Sequence, residues 1–357
     1  MALKCNLFLF ALLFFGVTKA QDSTQNNLSY SSFGFQFYEG TTIGITYKRI
    51  QSSRPYTAEI YYQRQINPVA AWNHTKRLPQ WGVGLSATHS GSQYVGTIVC
   101  AYPFIKLPLY TTGVLQGNFR IGFGIGWVQK PYDKITNPED ELLSQKFNTH
   151  ANLQWQNEFR LNSRNFINTA ITFYHCSNAK TSLPNLGINI PSLSVGYRYA
   201  FNGETRKPGN ANDSLNKKLF YKVFLSGGIK QMQVPDSSYY FVKLLTGEIS
   251  KQISYSSILS LGMFVTHDAS VKTDPLVKHL RSIETSQVAL YGSYEYNFGK
   301  LTIPVQFGIF LYNSNSKLLE SIGFRYKISQ NLMAQFLLKS HGHKADLMHF
   351  GIGYAFR

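Results

Sequence analysis

Apolar and polar residues alternate with a period of two along most of this chain, in short runs broken by turn-forming residues. Tyr56–Gln65 (YTAEIYYQRQ) is a clear example. In Gly113–Lys130, Phe119, Ile121, Phe123, Ile125 and Trp127 alternate with Arg120, Gly122, Gly124 and Gly126. A period of two places alternate side chains on opposite faces of a strand, so each run predicts a β-strand with one apolar face. Further runs are Ser31–Tyr38, a weak Thr42–Arg49, Trp81–Thr88, Tyr94–Tyr110, Thr149–Leu161, Phe166–Ser177 and Ser192–Phe201. A Gly/Pro/Asn-rich stretch, Asn202–Lys217, interrupts the pattern. Beyond it the alternation resumes over Leu219–Gln231, Tyr239–Ile253, Ile258–Thr266, Gln287–Phe298, Leu301–Tyr312, Leu319–Ile328, Leu332–Ser340 and Leu347–Phe356. The count is about eight strands on each side of the interruption.

Composition decides what such strands are for. Aromatic residues make up 15% of the chain and charged residues only 15%, with 23 Tyr and 26 Phe. Short alternating segments rich in aromatics and glycine fit a transmembrane β-barrel, apolar outside and polar within. A secreted β-sandwich alternates equally well, but is expected to carry more surface charge. The expected fold is therefore all-β: a transmembrane antiparallel β-barrel of about sixteen strands, built as two eight-stranded repeats. Two tandem narrow barrels are the rival to one wide barrel, and the rarity of chains with two membrane barrels favours the single wide one.

The two halves also resemble each other in sequence. Asn331–Ala345 (NLMAQFLLKSHGHKA) lies over Asn165–Ala179 (NFINTAITFYHCSNA) without a gap. Upstream, Phe324-Arg325 matches Phe159-Arg160 with one residue inserted between, and downstream Gly353–Phe356 echoes Gly196–Phe201. This predicts an internal duplication, in which His341 takes the place of His175 while His343 replaces Ser177. The expected organisation is a signal peptide at 1–20, a first repeat at 21–201 carrying the site, a linker at 202–217, and a second repeat at 218–357 without the nucleophile.

The first twenty residues carry an early Lys4, the apolar run Leu7–Gly16 and small residues before Gln21, as a cleaved secretory signal does. The formal charge of +17 suits a polyanionic setting. For an exported barrel that setting is the phosphorylated lipopolysaccharide of an outer leaflet rather than nucleic acid. Once Cys5 leaves with the signal, Cys100 and Cys176 remain, too few for a disulfide framework.

The chemistry gathers in Asn165–Phe201. Its first strand ends in His175 and Ser177, two residues apart and therefore on one face, continuing Phe173, Ile171, Thr169 and Ile167. A hydroxyl nucleophile needs a base within hydrogen-bond reach, a group that fixes the base's tautomer, and donors for the oxyanion. His175 and Ser177 supply base and nucleophile; Asn178, Asn185, Gly187 and Asn189 stand nearby. If the long acidic loop around 131–148 is extracellular, strand parity brings His175 and Ser177 to the outer rim. Lys130, Lys134, Lys146 and Lys180 flank that position and could meet lipid phosphates, or form an ordinary solvated loop face. His341, His343 and His349 could suggest a metal, but without carboxylates they read as incidental, and no metal is expected.

The motif H-x-S-N-A (His175, Ser177, Asn178, Ala179), followed by the turn Asn185-Leu-Gly187 and a strand ending in aromatics, resembles the lipid A 3-O-deacylase (PagL) family, also described as acyloxyacyl hydrolases. The resemblance implies an outer-membrane barrel with a serine esterase site on its lipid-facing outside. Such an enzyme removes the 3-O-linked acyl chain of lipid A without cofactor. It implies Ser177 as nucleophile, His175 as general base, and Asn178, Asn185 and Gly187 as the candidate oxyanion and substrate-binding set. The best-known members of the family complete the triad with a glutamate where this chain has Asn189. No Asp or Glu lies between Phe159 and Phe201, and Glu158 is expected to pair near Thr169, too far down the strand to orient His175. The third position is therefore expected to be filled by neutral Asn189, or by an acid from the 131–148 loop.

Overall fold

Alternation carries into three dimensions in the inverse sense to that of a soluble protein: polar side chains point inward and apolar ones outward. The structure is a computed structural model and describes residues 30–44, 52–65, 78–202, 218–231, 238–270, 285–312, 317–341 and 344–356. The expected signal peptide, the linker beyond Asn202, the weak strand after Gly44, and His343 lie outside the described residues.

The first eight strands are β1 (Ser31–Gly40), β2 (Tyr56–Gln65), β3 (Gln80–His89), β4 (Thr97–Thr112), β5 (Leu115–Val128), β6 (Phe147–Arg160), β7 (Asn165–Ser177) and β8 (Ile188–Ala200). The second eight are β9 (Leu219–Gln231), β10 (Tyr239–Ser254), β11 (Ser257–Asp268), β12 (Ser286–Phe298), β13 (Leu301–Tyr312), β14 (Leu318–Lys327), β15 (Leu332–His341) and β16 (Lys344–Phe356). Every neighbouring pair is antiparallel. β1 pairs with β8 from Ser32↔Ala200 to Gly40↔Ser192, and β9 pairs with β16 from Tyr221↔Phe356 to Gly227↔Phe350.

Each half therefore closes on itself, and the chain forms two closed barrels instead of the single wide barrel expected. The reason is local to the seams. β8 already has β7 and β1 as neighbours, so it offers β9 no free edge on which to continue one sheet.

β1 shows the inversion plainly. Phe33, Phe35 and Phe37 are about half exposed, while Ser32 and Gln36 are buried in the lumen. An exposed belt of Phe, Ile, Leu and Trp around a polar interior suits hydrocarbon outside and rules against a secreted sandwich. The lumen is narrow, and small residues make room in it. A Cβ on Gly124 would come within 2.3 Å of the Ala101 carbonyl oxygen.

Charges inside are paired, as burial requires. Glu158 accepts from Arg198 Nε at 2.8 Å and sits 2.7 Å from Lys106 Nζ. Arg120 pairs with Glu59 and lies 3.6 Å over the Phe104 ring. In the second barrel Arg325 Nη1 lies 2.8 Å from Glu248 and 2.5 Å from Glu295.

The barrels touch through their outer walls. Ile105 and Leu107 of β4 cluster with Phe298 of β12 and Ile303 of β13, and all four are buried. Phe123 of β5 lies 5.8 Å from the ring of Phe324 (β14) and 5.3 Å from that of Phe336 (β15).

The gapless overlay of the two halves does not survive. β7 and β15 are each the seventh strand of their barrel, but the overlay puts opposite faces in register. Phe166 is buried opposite Arg198 in the lumen, whereas its overlay partner Leu332 pairs with the half-exposed Tyr354 on the outside. A one-residue slip in a strand turns every side chain to the other face. His341 therefore does not match His175 at that alignment.

Candidate active site

The site is built on the outer rim of the β7–β8 hairpin. Inward-facing Tyr174 and Cys176 bury themselves in the lumen, so His175 and Ser177 project outward at the end of the stripe Ile167, Thr169, Ile171, Phe173. Hairpin register sets Asn189 directly across from His175. The three side chains meet: His175 Nε2 lies 2.8 Å from Ser177 Oγ, and His175 Nδ1 lies 2.7 Å from Asn189 Oδ1.

An amide oxygen can only accept, so Nδ1 carries the proton and Nε2 presents its lone pair to the serine O–H. That is the tautomer a general base needs. Both ring nitrogens are thereby engaged, and among the described residues no carboxylate of the 131–148 loop takes the place of Asn189. Glu158 is not a candidate for a stronger reason than distance. It pairs near Thr169, as expected, at Asn168, and it points into the lumen, on the opposite side of the wall from His175.

The serine is backed by the neighbouring strand. Thr149 Oγ1 donates to the Ser177 carbonyl at 2.6 Å, and His150, in the lumen, donates from Nδ1 to the His175 carbonyl at 3.2 Å.

The connection from Asn178 to Gly187 is held by its own polar groups and by the loop after β5. Asn178 N–H donates to Asn185 Oδ1 at 3.0 Å. Asn178 Nδ2 donates to Ser144 Oγ and to the Ser182 carbonyl, each at 3.0 Å. Leu186 N–H and Gly187 N–H donate to the carbonyls of Glu141 and Leu142 at 3.2 and 3.0 Å. Three of the donors in the expected oxyanion set, namely both amide groups of Asn178 and the Gly187 N–H, thus hold the loop. With Asn185 Oδ1 receiving Asn178 N–H, the Asn185 side-chain nitrogen is a remaining candidate donor of the set.

Gly187 has φ +72, and a Cβ there would lie 3.1 Å from Ser177 Cβ and 3.3 Å from His175 Cε1. Only glycine combines that backbone with so close an approach.

Residues of the 131–148 loop enter as supports. Asp140 is buried, and its Oδ1 accepts Leu142 N–H at 2.8 Å, which shapes the turn whose carbonyls receive Leu186 and Gly187. Burial pushes the Asp140 carboxyl up to about 7, against the opposing pull of the Leu142 and Leu143 amides. Of the flanking lysines, Lys130, Lys134 and Lys146 are exposed and Lys180 is half-buried. Cys100 and Cys176 are free, buried in the lumen, and close together, their sulfurs lying 3.1 and 3.2 Å from where Gly126 would carry a Cβ. His349 is buried inside the second barrel, and among the described residues no cluster of His, Cys, Asp or Glu could hold a metal ion.

Two contacts that sequence reasoning missed come from the other barrel. Gln231, the last residue of β9, donates its N–H to the Lys180 carbonyl at 2.9 Å, and its Oε1 accepts Leu183 N–H at 2.9 Å.

Comparison with known proteins separates the two halves in the same way as the fold. A family model described as lipid A 3-O-deacylase (PagL) matches residues 56–198, and one described as acyloxyacyl hydrolase, C-terminal domain, matches residues 219–357. No curated protein matches the sequence. Among solved structures, the chain is similar to the translocator domain of the autotransporter NalP from Neisseria meningitidis at 8% identity, covering 97% of this chain and 92% of that one with a TM-score of 0.23. It is similar to a triple mutant of the Rhodopseudomonas blastica porin at 8% identity, covering 92% and 99%, with a TM-score of 0.18. The Acinetobacter baumannii outer membrane protein Omp33 gives 9% identity, the same coverages and a TM-score of 0.18.

Proposed function

Because this chain belongs to the lipid A 3-O-deacylase (PagL) family, we propose that it is an outer-membrane serine esterase that removes the 3-O-linked acyl chain from lipid A. The observation that carries this reading is the outward-facing relay from Ser177 Oγ to His175 Nε2 at 2.8 Å and from His175 Nδ1 to Asn189 Oδ1 at 2.7 Å. It stands at the end of an apolar stripe, where acyl chains of an outer leaflet would lie.

In the proposed reaction Ser177 Oγ attacks the ester carbonyl while His175 Nε2 takes the hydroxyl proton. The tetrahedral oxyanion is met by the Asn185 side-chain amide, with the Asn178–Gly187 connection holding that donor in place. Collapse expels the sugar alkoxide, which takes the proton from His175 and leaves the acyl group on Ser177. Water then attacks the acyl-enzyme with His175 again as base, releasing the fatty acid and restoring the serine. Asn189 fixes the histidine tautomer but, being neutral, stabilises the imidazolium less than a carboxylate would. The chemistry calls on no metal or cofactor. The substrate is lipopolysaccharide, and nucleic acid plays no part.

The test is the mass of lipid A extracted from cells expressing the protein or its Ser177→Ala variant. Loss of one acyl chain with the unaltered protein and not with the variant is expected. No serine-dependent loss would leave a non-catalytic barrel, a pore or scaffold with a degenerate site, as the reading.

A further inference from the structure

We propose that Gln231, in the second barrel, is a positioning residue for the serine site of the first. This rests on the esterase reading and adds to it a task for the second barrel.

The connection Asn178–Gly187 carries the proposed donor side of the site, and it is held in part by its own hydrogen bonds and by the loop after β5. Thr181 N–H and Oγ1 both donate to the Asn178 carbonyl, at 3.1 and 2.9 Å. Ala179 and Lys180 have φ of +49 and +63, the left-handed region, where a residue with a Cβ is disfavoured by about 1–2 kcal/mol. Two such residues in succession keep that shape only if surrounding contacts over-determine it. At the crest the turn's own Asn178–Thr181 bonds are joined by two from a residue across the barrel boundary. Gln231 N–H holds the Lys180 carbonyl and Gln231 Oε1 holds Leu183 N–H, each at 2.9 Å. Gln231 is itself buried and fixed in register at the end of β9, opposite Tyr239.

The attachment has a firm base. The apolar seam of Ile105, Leu107, Phe298 and Ile303, with Phe123 against Phe324 and Phe336, fixes one barrel against the other along their walls. Gln231 then delivers that fixed reference to the loop between Ser177 and Asn189. It touches none of the reacting groups. Its effect reaches them through the Asn178–Asn185 hydrogen bond and the placement of Gly187 over Ser177 and His175. A clamp of this kind acts on the transition state more than on ground-state binding, because the donor it places is used only when the oxyanion forms.

The test uses the full-length protein in detergent micelles with lipopolysaccharide as substrate. Gln231→Ala, which keeps the backbone bond and removes the side-chain acceptor, is expected to lower kcat about 5–10-fold, the equivalent of one hydrogen bond, with KM changed less than about twofold. Gln231→Glu retains an acceptor oxygen for Leu183 N–H and is expected to restore kcat to within about twofold of the unaltered enzyme. Leu245→Ala, a lipid-facing change on β10, is expected to leave kcat alone and controls for general disturbance of the second barrel. Hydrogen exchange over residues 178–187 should rise in Gln231→Ala and return in Gln231→Glu, an outcome that a loss of folding would not mimic. Turnover lost in Ser177→Ala but unaltered in Gln231→Ala, with unchanged exchange, overturns the clamp alone. Turnover persisting in Ser177→Ala overturns the serine site and the clamp with it.

Discussion

The sharpest prediction concerns Asn189, the residue that stands where a carboxylate is usual. Its Oδ1 accepts from His175 Nδ1 at 2.7 Å, and nothing else among the described residues holds that ring nitrogen. Asn189→Ala removes one neutral hydrogen bond, directly worth about 0.5–1.5 kcal/mol, or roughly 2–10-fold in rate. The larger loss is of orientation. A ring released at Nδ1 can carry its proton on Nε2, where it donates to Ser177 instead of accepting. In serine proteases the wrong tautomer costs about 10⁴-fold. His175 keeps its 2.8 Å contact to Ser177 and its place on the strand, so the expected loss of kcat lies between those limits, about 10²-fold.

Asn189→Asp works in the opposite direction. A charge-assisted bond contributes about 1.5–3 kcal/mol where a neutral one contributes about 0.5–1.5, and the added stabilisation belongs to the imidazolium that forms in the transition state. Asn189 is only half-buried, so the carboxylate retains part of its hydration. Its net gain should be near 1 kcal/mol, roughly a fivefold rise in kcat. The assay is release of fatty acid from purified lipopolysaccharide, for both variants beside Ser177→Ala, which is expected to lose at least about 10³-fold. Unchanged turnover in Asn189→Ala would remove Asn189 from the site. Asn189→Asp falling to the level of Ser177→Ala would refute the orientation argument itself.

Three other expectations follow from neighbouring contacts. Gly187→Ala would force a Cβ to 3.1 Å from Ser177 Cβ on a backbone at φ +72; about 1–2 kcal/mol of backbone strain should appear as a fall in kcat of about 5–30-fold, measurable in the same assay. Asp140 has its folded-state pKa raised from 3.8 to about 7, so the stability it lends its loop is full below about pH 4 and is lost as pH rises through 7. Exchange protection of residues 131–146, corrected for intrinsic rates, should decline over that window, and Asp140→Asn should flatten the decline. Glu158→Ala leaves Lys106 and Arg198 without their shared carboxylate in the lumen; thermal unfolding of the first barrel should show a loss of about 3–5 kcal/mol, with the site's geometry preserved.

Much of this molecule was legible from its period of two, because strand faces are a local property. The run Leu301–Tyr312 read from sequence is the observed β13, and the glycines after Arg120 do line the lumen. Whether sixteen strands close once or twice is not local. It depends on β8 finding β1 rather than β9, a pairing that no alternation pattern encodes. The site divides similarly. His175 and Ser177 share a face by spacing alone. Asn189 faces them through hairpin register, which a ten-residue connection does not fix, and here it was the family resemblance that pointed to the position. Gln231 and Leu142 left no signal, and Asp140, one of the loop acids weighed for the third position, enters as a support instead, since each reaches the site through packing between distant segments.

The internal repeat gives the most instructive disagreement. Fifteen residues aligned without a gap, yet the two strands face oppositely along that alignment, because identity of letters ignores the parity of the pleat. Phe159-Arg160 and Phe324-Arg325 resolve it. In both pairs the phenylalanine lies on the outer face and the arginine on the lumen side, so the alignment they define keeps the faces matched. Carrying that alignment through with no insertion moves the second strand by one residue and sets Ser340, not His341, at the place of His175. Ser340 Oγ lies on the outer face 3.2 Å from Glu320 Oε2, and two positions further the sequence has Gly342 in place of a nucleophile. On this register Ser340 and Gly342 stand in the sequence at the places of His175 and Ser177. That gives the Gln231 contact its weight: it joins the second barrel to the loop of the barrel that carries the proposed site.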